Sequence, residues 1–332
     1  MPVSAKNLTD LNVSILDLAT ISDGSTPADA FRNTLDLAEH ADRWGYERYW
    51  IAEHHNMAPI ASAATSVLIG LVAQRTKNIK VGSGGIMLPN HSPLVIAEQF
   101  GTLESIFPGR IDLGLGRAPG TDQITARALH RSNSDDFPGM VEELRSYFTP
   151  DRTGKHLSVT AIPTVGQDPL VWLLGSSDFS ATLAAKLGLP FSFAGHFSPG
   201  FAYPAIKTYR HNFQPSEVLD EPYVMLGLNL AVADTDEEAV SQFSSTQQHF
   251  LALSQGHPLP IQRPRQMSQQ EMNIVHNSVA GSVVGKPDSI KGQIEGLLKQ
   301  VEIDEIMFTS YIYEHEARLR SYELLKEVVD AG

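Results

Sequence analysis

The chain has 332 residues, no cysteine, 42% hydrophobic residues and a formal charge of −13. Disulfides, thiolate metal sites and thiol catalysis are excluded, and the acidic balance argues against nucleic acid or an anionic membrane as main partner, since both call for basic patches. Residues 1–11 hold no apolar signal-peptide core, and the apolar run 67–73 falls far short of the ~20 residues of a membrane span, so a cytoplasmic protein is expected.

Residues 13–18 are a short β-rich run. Asp23-Gly24-Ser25-Thr26-Pro27 then leads into a helix, with Thr26 as N-cap and Pro27 at the first helical position. Ala30, Leu35, Leu37, Ala38, Ala41 and Trp44 give its apolar stripe, and Gly45 ends it. A strand at 46–52 runs into Glu53-His54-His55-Asn56. Next come a helix at 65–75, a strand at 79–87 containing Gly82, Gly84 and Gly85, and a helix at 93–107 broken by Pro108-Gly109. A strand at 110–116 precedes a long polar loop. Then follow helix 135–148, strand 170–174, helix 177–187 closed by Gly188, strand 190–194, helix 199–213, strand 223–233 and helix 235–253. Residues 255–280, rich at first in Pro, Gln and Arg, read as a mobile insertion. Helix 288–301, strand 305–309 and helix 314–329 close the chain.

Eight strand–helix alternations imply parallel strands with crossover helices, and so a single (β/α)8 TIM barrel over residues 1–332. Such a barrel needs ~250 residues, and the excess falls in insertions after strands four and seven. An open doubly wound sheet is the alternative, but the chain lacks the Gly-rich first turn of the dinucleotide type.

In a closed barrel the chemistry sits at the carboxyl ends of the strands. His54 and His55 are adjacent on an extended strand end and face opposite ways, so at most one enters a site, and the pair is a poor metal chelate. Either can instead cap the strand. Arg117 closes strand four among glycines, where its planar fork suits a phosphate or pairs with Asp122. Arg110 belongs to the opposite rim and reads as structural. Ser176, Ser177 and Ser180 lie at a helix start whose first amides have no internal partner. They serve a phosphate or simply cap the helix. The helix dipole supplies only ~0.3–2 kcal/mol, against the ~8 kcal/mol of micromolar binding, so a ligand there also needs Arg117. Asn90 and Ser92 read as helix caps, and His91 is ambiguous. Asp17, His196 and Asn229 are rim polars suited to a ligand contact or to a hydrogen-bonded strand end. No metal site is expected.

Taken together, Ser14-Ile15-Leu16-Asp17-Leu18, Ala52-Glu53-His54-His55-Asn56, Val81-Gly82-Ser83-Gly84-Gly85-Ile86-Met87-Leu88-Pro89-Asn90-His91, Pro108-Gly109-Arg110-Ile111-Asp112-Leu113-Gly114-Leu115-Gly116-Arg117 and Trp172-Leu173-Leu174-Gly175-Ser176-Ser177 resemble the bacterial luciferase-like family of flavin-dependent monooxygenases, and most closely its single-chain alkanal-monooxygenase-like subgroup. The resemblance covers most of the chain and is weakest between residues 239 and 281. It implies FMN at the carboxyl rim, with His54 beside the flavin as the catalytic residue. It also implies cofactor binding by Arg117, Ser176, Ser177 and Ser180 at the phosphate, and by Gly82, Ser83 and Gly84 under the ring, where the family often has a bulge or a non-proline cis peptide. Asp17 is counted with this set. The family's reactive cysteine falls at Gly116, so a thiol role is absent. The implied reaction uses reduced FMN and O2, through a peroxyflavin, to oxidise a small organic substrate such as an aldehyde. A separate NAD(P)H-dependent flavin reductase would supply the flavin, the insertion would act as a lid, and the barrel would form a homodimer. A deazaflavin-dependent oxidoreductase and a non-catalytic FMN-binding protein are the alternatives.

Overall fold

Runs of β-branched and aromatic residues between turn signals become strands in the computed structural model, which describes residues 7–131, 136–149 and 158–332. These strands are β1 (Asn12–Asp17), β2 (Arg48–Ile51), β3 (Lys80–Ser83), β4 (Ile86–Met87), β5 (Ile111–Gly116), β6 (Leu170–Gly175), β7 (Phe191–Phe193), β8 (Val224–Val232), β9 (Val283–Gly285) and β10 (Glu305–Thr309). The order β10-β1-β2-β3-β5-β6-β7-β8 returns to β10 through a β10–β8 pairing, and every pair is parallel. This is a closed eight-stranded (β/α)8 barrel, as the alternation implied. The expected third strand is split. β3 ends at Ser83, a cis peptide joins Gly84 to Gly85, and β4 pairs separately with β5. β9 lies outside the barrel, paired to the end of β8.

The helices are α1 (Pro27–Trp44), α2 (Thr65–Arg75), α3 (Pro93–Ile106), α4 (Gln123–Ala128), α5 (Phe137–Phe148), α6 (Asp178–Leu187), α7 (Ala202–Asn212), α8 (Asp236–Ser254), α9 (Gln269–Val275), α10 (Pro287–Leu298) and α11 (His315–Ala331). α1 has the expected ends. Thr26 and Asp29 form a reciprocal capping box, and Gly45 takes the left-handed conformation with φ 79°, which glycine adopts without a Cβ clash. Residue 135, where a helix was expected to begin, lies outside the described residues.

Side-chain alternation sorts the strands into two layers. Val13, Ile15, Tyr49, Ile51, Leu113 and Leu173 face outward and pack with the helices. Leu16, Trp50, Trp172, Met225 and Met307 face the barrel interior. Below the mouth the interior is closed by a buried ionic layer. Arg48 donates to Asp112 Oδ2 at 2.8 Å and to Glu305 Oε2 at 3.1 Å. Trp50 Nε1 donates to Asp112 at 3.0 Å, and Ser14 and Tyr223 donate to Glu305. The Arg48 guanidinium also lies 4.9 Å from the centre of the Trp172 ring. Burial pushes the Glu305 carboxyl up, against the pull of Arg48.

The stretch expected as a mobile insertion has identifiable anchors. Ile261 N–H donates to Ile21 O at 2.8 Å, and Asp23 N–H donates to Ile261 O at 2.8 Å. Gln248 Nε2 donates to Arg263 O at 2.9 Å. Ser268 and Glu271 cap α9, and Arg265 pairs with Glu271 at 2.6 Å. Ile261, Met267 and Val275 pack into the inner cluster with Leu16, Trp50 and Tyr311, so the segment roofs the barrel mouth. Among the described residues no helix is long and apolar enough to cross a membrane.

Candidate active site at the carboxyl rim

A cavity of about 220 Å³ opens where the carboxyl ends of β1, β2, β5, β6 and β7 meet. A second cleft of about 230 Å³ lies at the amino end of β6, against Asp168, Leu170 and Val218. It has none of the rim residues, and barrels of this kind place chemistry at the other end.

Strand β2 leaves the core at Ala52 and delivers Glu53, His54 and His55 to the rim. Glu53 is 1% exposed and collects donors from three directions. Met87 N–H reaches it at 2.9 Å and Asn90 Nδ2 at 3.0 Å. His55 Nε2 lies at 2.9 Å, and His91 Nε2 at 3.0 Å from both carboxylate oxygens. These donors outweigh burial and hold the Glu53 carboxyl down at about 2. Asn90 and His91 are therefore ligands of Glu53, which settles the ambiguity at His91. His55 is turned to the same carboxylate, and its neighbour His54 lines the cavity, as opposite faces require. His54 Nδ1 lies 3.2 Å from Gly120 O. A carbonyl only accepts, so Nδ1 carries the proton and Nε2 is left as an acceptor. Burial lowers the His54 pKa, and the Gly120 carbonyl opposes it.

At the other end of the cavity, Arg117 follows β5. It makes no ion pair or side-chain hydrogen bond among the described residues, and its guanidinium lies 4.1 Å over the Phe179 ring. Asp122, its possible partner by sequence, instead caps α4 and accepts from Asn56 Nδ2 at 3.1 Å. α6 begins beside Arg117. Its N-cap, Ser177, makes no side-chain capping bond, so the first amides stay open toward the cavity that Ser176, Ser177 and Ser180 line. A side chain at Gly175 would collide with Ser180 Oγ, so glycine there keeps this hydroxyl reachable. A lone arginine, an open helix start and three hydroxyls at one end of an otherwise apolar cavity suit a phosphate.

A family profile described as luciferase-like monooxygenase matches residues 11–305. The chain belongs to that family. It is 50% identical over 323 residues to a luciferase-like monooxygenase of Escherichia coli (strain K12), covering 95% of this chain and 96% of that protein. Among solved structures it is similar to apo-MsnO8, with 35% identity, a TM-score of 0.86 and coverage of 96% and 98% of the two chains. The oxygenating constituent of a Pseudomonas putida 3,6-diketocamphane monooxygenase, in complex with FMN, shares the fold at 18% identity and a TM-score of 0.71, with 97% and 98% covered.

Three of the expected cofactor residues lie away from the cavity. Asp17 shares the outward face of β1 with Val13 and Ile15. Its carboxylate accepts from Arg318 and from Tyr49 Oη, each at 2.6 Å, which makes it a buried strap between barrel and helices. Gly82 lies over the ionic layer, where a side chain would meet Asp112 and Trp50. Ser83 faces outward and donates to Gly114 O at 2.9 Å. Of the glycine-rich segment only Gly84 lines the cavity. Asn229 points inward at the rim but donates to His196 O at 2.7 Å. Arg131 was not foreseen. It donates to Asn90 Oδ1 at 2.8 Å and to Arg117 O, tying the Glu53 cluster to the loop that carries Arg117. Its only signal was a basic residue in a long polar loop.

Proposed function

We propose that the chain is a flavin-dependent monooxygenase that uses reduced FMN and O2 to oxidise a small organic substrate. The observation that carries this is the two-ended cavity, with a phosphate-suited cation and helix start at one end and, on a largely apolar wall, the rim imidazole of His54 with its Nε2 free to accept. The residues present fit FMN. Arg117, the α6 amides, Ser176, Ser177 and Ser180 would hold the phosphate, and Gly84 and Gly116 leave the wall flat for a ring. Bound reduced FMN would supply the electrons that activate oxygen.

The protein's own part is binding, orientation and dryness. Leu16, Trp50, Met307 and the anchored roof keep water from the cavity. His54 Nε2, unprotonated and braced through Nδ1, can take and hold a proton at the reacting end. Reduced flavin would come from a separate NAD(P)H-dependent flavin reductase, since β1 is not followed by a Gly-rich phosphate turn. Val67, Leu71, Val95 and Ile106 are exposed on and beside α2 and α3, a surface that suits a homodimer.

Arg117→Ala is expected to weaken FMN 10–100-fold, the loss of charge-assisted hydrogen bonds worth about 1.5–3 kcal/mol. Riboflavin, which lacks the phosphate, should bind the variant as it binds the wild type. Quenching of flavin fluorescence reads both, and equal losses would remove the phosphate assignment. The reaction is tested by oxygen uptake with a flavin reductase and NAD(P)H. Substrate-dependent uptake with one oxygen atom in the product, lost in His54→Ala, is expected. Uptake no different from free reduced FMN across a substrate panel, or preferential binding of a deazaflavin, would overturn the reading.

A further inference from the structure

Opposite the phosphate end, the cavity wall contains a second imidazole that the cofactor reading leaves without a task. His196 follows β7, and its backbone carbonyl is held by Asn229 at 2.7 Å. Phe197 packs edge-on against its ring, centroid to centroid 4.8 Å. The ring sits over Gly227, where a Cβ would come within 2.7 Å of Nδ1; glycine there makes the room. Nδ1 is sealed off with no hydrogen-bond partner, so Nε2 is the nitrogen open to the cavity. A buried nitrogen with no acceptor near it is best left unprotonated, which places the ring proton on Nε2. His196 therefore presents a donor to the cavity, whereas His54 presents an acceptor.

Around this end the wall is Leu16, Leu18, Phe197, Gly227 and Met307, and among the described residues it holds no carboxylate and no lysine or arginine. Burial lowers the His196 pKa to about 4, and lowers His249, stacked 4.4 Å from Tyr311, to about 4 as well. The imidazoles are thus neutral at physiological pH. A charged substrate group placed here would lose its hydration and find no counter-charge among the described residues, which disfavours it. A neutral group with an accepting oxygen would find one donor.

The geometry points to His196 as the residue that selects the substrate, its Nε2–H binding an uncharged, oxygen-bearing polar group on an apolar body. This deepens the monooxygenase reading and rests on it.

The test is binding to the oxidised FMN complex, read by perturbation of the flavin absorbance, with hexanal and hexanoate as a matched neutral and anionic pair. Saturable perturbation by hexanal is expected, at least tenfold tighter than by hexanoate. His196→Ala should weaken hexanal about tenfold with the FMN dissociation constant changed less than twofold, and His196→Asn, which keeps an N–H donor, should recover part of the loss. Hexanoate binding as well as hexanal, no perturbation by hexanal, or an equal loss of FMN and hexanal in His196→Ala would each overturn the assignment. Failure of the wild type to bind FMN would instead overturn the monooxygenase reading, so the two are told apart.

Discussion

Arg48→Met is expected to lower unfolding stability by about 3–5 kcal/mol, the usual result of removing one partner from a buried ion pair. Arg48 stands between Asp112 and Glu305 in the barrel interior, and both carboxylates are nearly inaccessible. Without it two acids remain buried with no cation beside them. Burial already raises the Glu305 carboxyl while Arg48 lowers it; removing Arg48 raises it further. A carboxyl whose folded pKa lies above its unfolded value contributes most below the unfolded pKa and loses that contribution as pH rises through the folded one. The deficit of the variant should therefore be largest at neutral pH, shrink as pH falls through the folded pKa toward about 4.5, near the unfolded value of a glutamate, and change no further below that. Denaturant melts at pH 7 and pH 4 measure this. The triple variant Arg48→Met, Asp112→Asn, Glu305→Gln should regain much of the loss, because no buried charge is left unmatched. A single variant within 1 kcal/mol of wild type at pH 7 would show that the layer is not held by its charges.

Arg48 also shows where sequence stops being informative. The strand could be located from Tyr46, Tyr49, Trp50 and Ile51, and alternation puts Arg48 on one face with Trp50. The partners that make an inward arginine tolerable lie 64 and 257 residues away, and no local pattern connects them. The barrel itself was legible because each strand–helix unit declares itself locally, through caps such as Thr26 and terminators such as Gly45 and Gly188. The opposed faces of His54 and His55 followed from the same period of two. That period also separates Asp17 from Leu16, yet the position of Asp17 at a strand end drew it toward the rim. Its true partner, Arg318, comes from the last helix. Gly82 and Gly84 have the same composition signal and opposite environments. One makes room for Trp50 and Asp112, the other lines the cavity, and only the break in β3 distinguishes them.

Glu53→Gln is expected to disorganise the rim at both ends. All of the groups around Glu53 are donors: Met87 N–H, Asn90 Nδ2, His55 and His91. Glutamine keeps one accepting oxygen and turns an NH2 toward the rest, so N–H faces N–H in a buried site. A lost hydrogen bond to a charged group costs about 1.5–3 kcal/mol. The pKa of about 2, set against a usual glutamate near 4.5, corresponds to about 3 kcal/mol of stability. The sign follows from the depressed value. The contribution is fully present above pH 4.5 and is lost as pH falls through the folded pKa. Between pH 6 and pH 3 wild type should therefore lose about 2 kcal/mol that the variant does not lose, and the two melting curves should converge in acid. Equal acid sensitivity of both proteins would show that the carboxylate is not held in its charged form. The functional consequence separates this from plain destabilisation. Glu53 holds Asn90, Asn90 accepts from Arg131, and Arg131 grips the carbonyl of Arg117. His54 meanwhile hangs between Glu53 and the Gly120 carbonyl. At a temperature where the variant is fully folded, FMN should bind more weakly by severalfold, and riboflavin much less so, because the disturbance reaches the phosphate end through Arg117. A variant that melts early but binds FMN as tightly as wild type would confine Glu53 to the fold.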